Sequence, residues 1–301
     1  MLRPDGVLGP LVLYGLGRDL RTGPDGGAEV LAEATTRLDV AFLDGRKVTG
    51  VTSDPQLPAL QELIGVPAAG GFRARLGEVA ARERDARSLL HLLLDDVPGA
   101  ALVSGYSVGS ATEHQNIDVS ARSSYRPRPD QCSGFRSGGT IMIEIGRRGR
   151  APVVTGPPAP SLDNPADPHA WHTLEPLPRH GMRRVRRLDV IPEKAVVTVE
   201  SYFRDSHVGE DGRESVIHEY EVRAVVEPDS WRVLKASATP RVLPWRECPS
   251  AADSAGRLVG RSLLDIRQEV RTDFRGISTC THLNDQLRSL ADVVVLAGAA
   301  H

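Results

Sequence analysis

Aromatic side chains are scarce, at 4% of 301 residues, so the chain has little with which to build a base-stacking surface. A formal net charge of -2 likewise gives no general attraction to nucleic acid or to anionic membranes. No apolar run approaches the length of a membrane span. The opening residues, Met1 to Gly15, contain one short apolar run broken by glycine and proline. They lack the long apolar region of a signal peptide, and the expected location is the cytoplasm. Three cysteines, an odd number with no C-x-x-C pair, suit a reducing compartment better than a disulfide framework. There is no G-x-G-x-x-G fingerprint and no phosphate-loop lysine, so no nucleotide cofactor is expected. There is also no G-x-S-x-G elbow for serine catalysis.

What is there concentrates near the C-terminus. Ser278-Thr-Cys280-Thr-His282 places a thiol and an imidazole two residues apart, just where Leu283, Leu287, Leu290 and Val294 begin to recur at helical spacing. The first turn of a helix has unpaired N-H groups and a positive dipole end, so a cysteine there is biased toward the thiolate. The alternative is a buried cysteine in a helix-start turn. Two more donors lie upstream: His218 in the alternating, strand-like Ser215 to Val222, and Cys248 in a loop running into a helix. Soft and borderline ligands at rigid element ends suit zinc or iron, so His218, Cys248, Cys280 and His282 form the candidate metal set. Glu219 and Asp285, together with Cys280 and His282, are the candidate catalytic groups for proton transfer near a bound water.

From Arg183 to Leu296 the chain carries an Arg-rich opening, R-D-S at Arg204 to Ser206, H-E-Y at His218 to Tyr220, E-C-P at Glu247 to Pro249 and C-T-H-L at Cys280 to Leu283. This resembles an uncharacterised bacterial family whose usual form reads H-D-M, then a lone Cys, then G-C-T-H-L; the resemblance implies no activity. The same order is more distantly similar to the U-type iron-sulfur cluster scaffold proteins. Here His218 stands where those scaffolds use their first cysteine, a departure that weighs against an iron-sulfur cluster and leaves zinc, or no metal, open.

The two halves also look alike. Thr36 to Gly50, Leu60 to Gly65, Glu78-Val79 and His91-Leu92 follow one another as His218 to Val222, Arg257 to Gly260, Glu269-Val270 and His282-Leu283 do, with the last two pairs at a constant offset. An internal duplication follows, in which Thr36 replaces His218 and Leu89 replaces Cys280; shared composition is the other reading. The expected organisation is a degenerate first repeat plus a polar Cys132 loop in residues 1–150, a Pro-rich connection over 151–178, and a second repeat carrying the His/Cys site in 179–301. The expected fold class is α+β, with antiparallel β-meanders and helices packed on one face. Strand-turn-strand patterns such as Leu38 to Val51 and Val216 to Leu234 outnumber strand-helix-strand alternation.

Residues 105 to 140 read as an irregular polar stretch leading into a strand-like Thr140 to Ile145. Within it, Arg126, Arg128 and Arg136 flank Cys132 among glycines, a composition that either binds an anionic group or closes a polar surface turn. The basic run Arg183-Arg184-Val-Arg186-Arg187 reads as a solvated strand edge. Two functions remain. One is a small-molecule enzyme with a Cys/His site, zinc-bearing in one version, acting on a small anionic or acyl substrate as hydrolase, lyase or isomerase. The other is a noncatalytic metal or iron-sulfur binding module.

Overall fold

The computed structural model describes residues 1–115 and 127–299. The chain divides into two compact units: Met1–Tyr125 with Pro176–Met182 and Val208–Gly212, and Arg126–Glu175 with Arg183–His207 and Arg213–His301. Residues 127 to 150 group with the second unit. Each unit builds an antiparallel sheet followed by helices, which makes the fold α+β.

In the first unit β1 (Leu11–Thr22), β2 (Ala28–Ala41) and β3 (Lys47–Asp54) pair in the order β1-β2-β3. Period-two burial along β2 puts Ala34, Thr36, Leu38 and Val40 on the core face. A 3-10 helix at Pro58–Leu63 and helices α1 (Phe72–Val79), α2 (Ala81–Asp85) and α3 (Leu89–Asp95) follow. Leu60, Leu63, Phe72, Leu76 and Leu94 close the core over the sheet, each buried leucine contributing about 1.5–3 kcal/mol. The Ser88 hydroxyl accepts from the His91 N-H and caps α3. Pro98 sits in the first turn of the next helix, α4 (Val97–Val103), where its missing N-H costs nothing. The polar stretch after it forms α5 (Gly105–Gln115) instead of a loop. Thr112 Oγ1 donates back to the Val108 carbonyl at 2.8 Å, so a polar side chain is accommodated within the helix.

In the second unit α6 (Thr140–Arg148) is the first helix, over residues read from sequence as a strand. Its start is capped from far along the chain: the Thr140 N-H and hydroxyl both donate to Glu247 Oε1, at 2.7 and 2.9 Å. No local pattern announces a cap 107 residues away. The sheet runs β4 (Met182–Pro192), β5 (Val197–Val208), β6 (Glu214–Val226), β7 (Val233–Val242), in that order. Val197, Val199 and Phe203 on β5 and Tyr220, Val222, Ala224 and Val226 on β6 face the helical layer. That layer contains a 3-10 helix at Cys248–Leu258, α7 (Ile266–Asp273), α8 (Thr281–Ser289) and α9 (Val293–Gly298). Ala255, Leu258, Ile266, Val270, Leu283 and Leu287 supply its buried side.

The Pro-rich connection is extended and laid on the sheet. The Ala159 N-H donates to the Glu214 carbonyl, and Pro157 accepts from the Val216 N-H, both at 2.9 Å. Arg204 reaches the Pro160 carbonyl, Asp167 pairs with Arg187, and Trp171 stands edge-on to Tyr202. Only glycine fits at 156, where a Cβ would lie 1.7 Å from the Val216 carbonyl oxygen. Among the described residues no helix is long and apolar enough to cross a membrane.

Candidate metal centre

Three elements of the second unit converge on one buried polar point. On β5 the core-facing alternation Ser201, Phe203, Asp205 carries a carboxylate to the layer between sheet and helices. His218 enters that layer from β6, two positions before Tyr220. His282 is in the first turn of α8, whose N-cap residue is Cys280. Gln286, one turn further on, donates to the Ser201 carbonyl at 2.9 Å and to its hydroxyl at 3.1 Å, which pins α8 to β5 and sets His282 over Asp205.

Asp205 Oδ2 is 3.4 Å from His218 Nδ1 and 3.8 Å from His282 Nε2. The two imidazoles stack at 3.7 Å between centroids, with 21° between planes. One donor atom from each of the three residues lies within 4.8 Å of the others, and this is the one such group of His, Cys, Asp and Glu among the described residues. The Asp205 side chain is fully buried, and those of His218 and His282 are 11% and 14% exposed. One carboxylate oxygen and two imidazole nitrogens suit zinc, iron(II) or a similar borderline divalent ion.

The surrounding charges are paired. Arg184 grips Asp205 bidentately, Nε to Oδ1 at 2.8 Å and Nη2 to Oδ2 at 3.0 Å, and its Nη1 lies 3.6 Å from Asp285. Arg288 holds the other Asp285 oxygen at 3.1 Å, and Arg186 donates to the Asp285 carbonyl. Phe203 sits beneath Arg184 and Arg186, at 4.9 and 5.3 Å. Burial acts to raise the Asp205 carboxyl, but Arg184 and the two imidazoles outweigh it and hold the group well below the ordinary carboxylate range. His282 is pushed the other way by burial and by His218, so it stays neutral well below the usual imidazole range, which is the form that binds metal.

The cysteines stand outside the donor group. Cys280 Sγ faces Nδ1 of His282 at 3.8 Å, the nitrogen turned away from Asp205, where it can orient the ring. The expected thiolate bias at this helix start is corrected: burial dominates the dipole and pushes the Cys280 thiol up to about 11. Cys248, also buried, is pushed up to about 12 by burial and then by Cys280. Glu219 follows His218 directly and therefore points to the opposite face of β6, where Tyr202 and Arg204 hold it. Asp285 is near the group but engaged by Arg184 and Arg288.

At the Cys132 loop, Arg128 and Arg136 are exposed while Cys132 is half-buried, and Arg126 lies outside the described residues. The loop is anchored through Ser133, whose N-H donates to the Thr279 carbonyl at 2.8 Å and whose hydroxyl donates to the Glu247 carbonyl. At Gly134 an added Cβ would sit 2.8 Å from Cys248 Sγ. Gly134→Ala is expected to lower stability by about 1–3 kcal/mol through overpacking, with much of that loss recovered by Cys248→Ala in the same chain; urea denaturation of the four proteins measures it.

Asp205 and Arg184 were missed as site residues in the sequence. Strand periodicity carries the signal: Arg184 and Arg186 share one face of β4, and Asp205 follows Phe203 by two on β5. The run read as a solvated edge is therefore split. Arg184 is buried toward the core, whereas Arg187 pairs on the other face with Asp167 and Asp189.

Fold and site together define an α+β protein with a buried Asp-His-His group under the first turn of a helix. Residues 182–296, which include all three donors, match a protein family described as of unknown function, DUF2889. No curated protein and no solved structure matches the chain.

Proposed function

We propose that Asp205, His218 and His282 bind one divalent transition-metal ion, zinc before iron(II), and that the second unit is a metal-dependent enzyme acting on a small anionic or acyl compound. The observation that carries this reading is the convergence of three donor atoms within 4.8 Å on three different elements. Three protein donors are the usual number where a coordination position is kept for chemistry. When bound, such an ion supplies a Lewis acid that acidifies a coordinated water and polarises a carbonyl or phosphoryl oxygen. Arg184 fixes the orientation of Asp205, Cys280 faces the distal nitrogen of His282, and Phe203 closes the floor. Arg184, Arg186 and Arg288 outnumber Asp205 and Asp285 there, which favours an anionic substrate. The absence of sulfur from the donor group favours zinc over an iron-sulfur cluster. Burial of the donors supports the second reading, a noncatalytic metal module, in which no substrate reaches the ion. Thr36 and His91 of the first unit occupy β2 and α3 as His218 and His282 occupy β6 and α8, and this supports a duplicated origin with a ligand-poor first copy.

Metal analysis of the full chain, purified without chelator, tests the reading. The expected result is about one equivalent of metal per chain, falling to background in Asp205→Asn, His218→Ala and His282→Ala while circular dichroism shows the fold retained. A wild-type chain that carries no metal and binds no added Zn2+ would overturn it.

A further inference from the structure

Arg3 is a half-buried cation that no anion answers. Its Nη1 donates to the Gly9 carbonyl at 3.1 Å and its Nη2 reaches the Ser104 hydroxyl at 3.5 Å, and both acceptors are neutral. Among the described residues no carboxylate pairs with it. Its guanidinium instead lies over the Phe42 ring, 4.2 Å from the centroid, and the Arg46 guanidinium lies over the same ring at 5.1 Å. The turn between β2 and β3 holds Arg46 there: its backbone is left-handed, with φ at 57°, and its carbonyl accepts from the Ala68 N-H at 2.8 Å. Two cations on one ring repel, so burial first and Arg46 second pull the Arg3 guanidinium down to about 10. A separate element closes on the same ring. Gly105 opens α5, and a Cβ added there would lie 3.6 Å from Phe42 Cζ, so the first turn of an 11-residue helix stands beside the two guanidiniums. Ser107 in that turn is fully buried, and its hydroxyl has no hydrogen-bond partner. Buried hydroxyls and buried cations are ordinarily satisfied.

We propose that Arg3, Arg46 and the first turn of α5 form an anion site in the first unit, and that its ligand is a phosphate group, free or carried on a small organic molecule. Guanidinium forks match tetrahedral oxyanions, and the N-H groups of a helix start point at such ligands. Charge decides between anions. A phosphate monoester carries about −1.5 to −2 at neutral pH, enough for two guanidiniums, whereas a carboxylate would leave one of them unanswered. No residue of the Asp205–His218–His282 group takes part, so the proposal does not depend on the metal reading.

Inorganic phosphate is the probe, titrated calorimetrically into the full chain at constant ionic strength with chloride as the balancing anion. One equivalent is expected to bind. Arg3→Gln is expected to weaken binding about tenfold or more, the loss of one charged fork. Because Arg3 is a repelled cation, this change is expected to leave the urea midpoint of the phosphate-free chain unchanged or higher. Arg46→Gln, in a turn, gives the same readout without touching the Arg3 hydrogen bonds, and a comparable loss is expected. His218→Ala, which removes a donor of the metal group, is expected to bind phosphate as the wild type does. Phenyl phosphate, run in parallel, separates the sources: tighter binding of the ester assigns an organic phosphate, tighter binding of the free ion assigns phosphate itself, and both support the site. No binding of either compound up to about 10 mM, wild-type affinity in Arg3→Gln and Arg46→Gln, or binding lost in His218→Ala would each overturn it. The last outcome would instead place the anion at the Asp-His-His group.

Discussion

Arg184→Ala is expected to destabilise the protein by about 3–5 kcal/mol, measured by urea denaturation of the metal-free chain. The Asp205 side chain is fully buried and ionised, and Arg184 supplies its two shortest contacts, at 2.8 and 3.0 Å. Removing the guanidinium leaves a carboxylate in a low-dielectric layer with only His218 and His282 to answer it, and it also leaves Asp285 with one fewer cation. Adding Asp205→Asn to the same chain removes the stranded charge, so the double variant is expected to be more stable than Arg184→Ala alone. That coupling separates loss of a charge partner from loss of arginine packing over Phe203, which no change at 205 can restore. A cost below about 1 kcal/mol would mean that the pair is solvated and that the buried group is not built as described.

Acidification is expected to weaken the metal-free protein well before its carboxylates titrate. His282 stays neutral in the folded chain, held there by burial and by His218, whereas in the unfolded chain it takes up a proton near pH 6.5. Stability is therefore complete above about 6.5 and falls as pH drops toward the much lower folded value, by about 1.4 kcal/mol per unit. Asp205, shifted down in the fold, keeps its contribution throughout that window and loses it only as pH falls below the ordinary carboxylate range. The measurement is the pH dependence of the urea midpoint in wild type and His282→Gln. The variant is expected to show a flatter profile, and parallel profiles would show that His282 titrates alike in both states.

Much of the second unit's framework is legible from period alone. The alternation of Val216 to Val226 and of Val197 to Phe203 specifies two strands with one apolar face, and Leu283, Leu287 and Leu290 specify the helix that covers them. The segment bearing His218 and that bearing Cys280 and His282 were both visible as donors near element ends. Asp205 was not, because an R-D-S tripeptide is ordinary in a strand approaching a turn until its partners are in place. Two elements were misread for opposite reasons. Thr140 to Arg148 has β-rich composition but is a helix, since Glu247 caps its first turn from a distant loop. Gly105 to Gln115 has turn-like composition but is a helix, in which the Thr112 hydroxyl bonds back to the Val108 and Gly109 carbonyls.

By itself, the sequence determined the α+β class, the antiparallel pairing over Leu38 to Val51 and Val216 to Leu234, and the short list of imidazoles and thiols on which any chemistry must draw. Those are local properties, set by side-chain period and turn-forming residues within a few positions. The tertiary structure decided which donors share a point. It set Asp205 between His218 and His282 and turned Cys280 to the far nitrogen of His282, while strand alternation sent Glu219 to the other face. It also converted an apparent surface run of arginines into a buried counter-charge. The reason is physical: the energy of a charge or a metal ligand depends on the distance to its partners and on the water excluded around them, and both quantities arise only when β4, β5, β6 and α8 pack together.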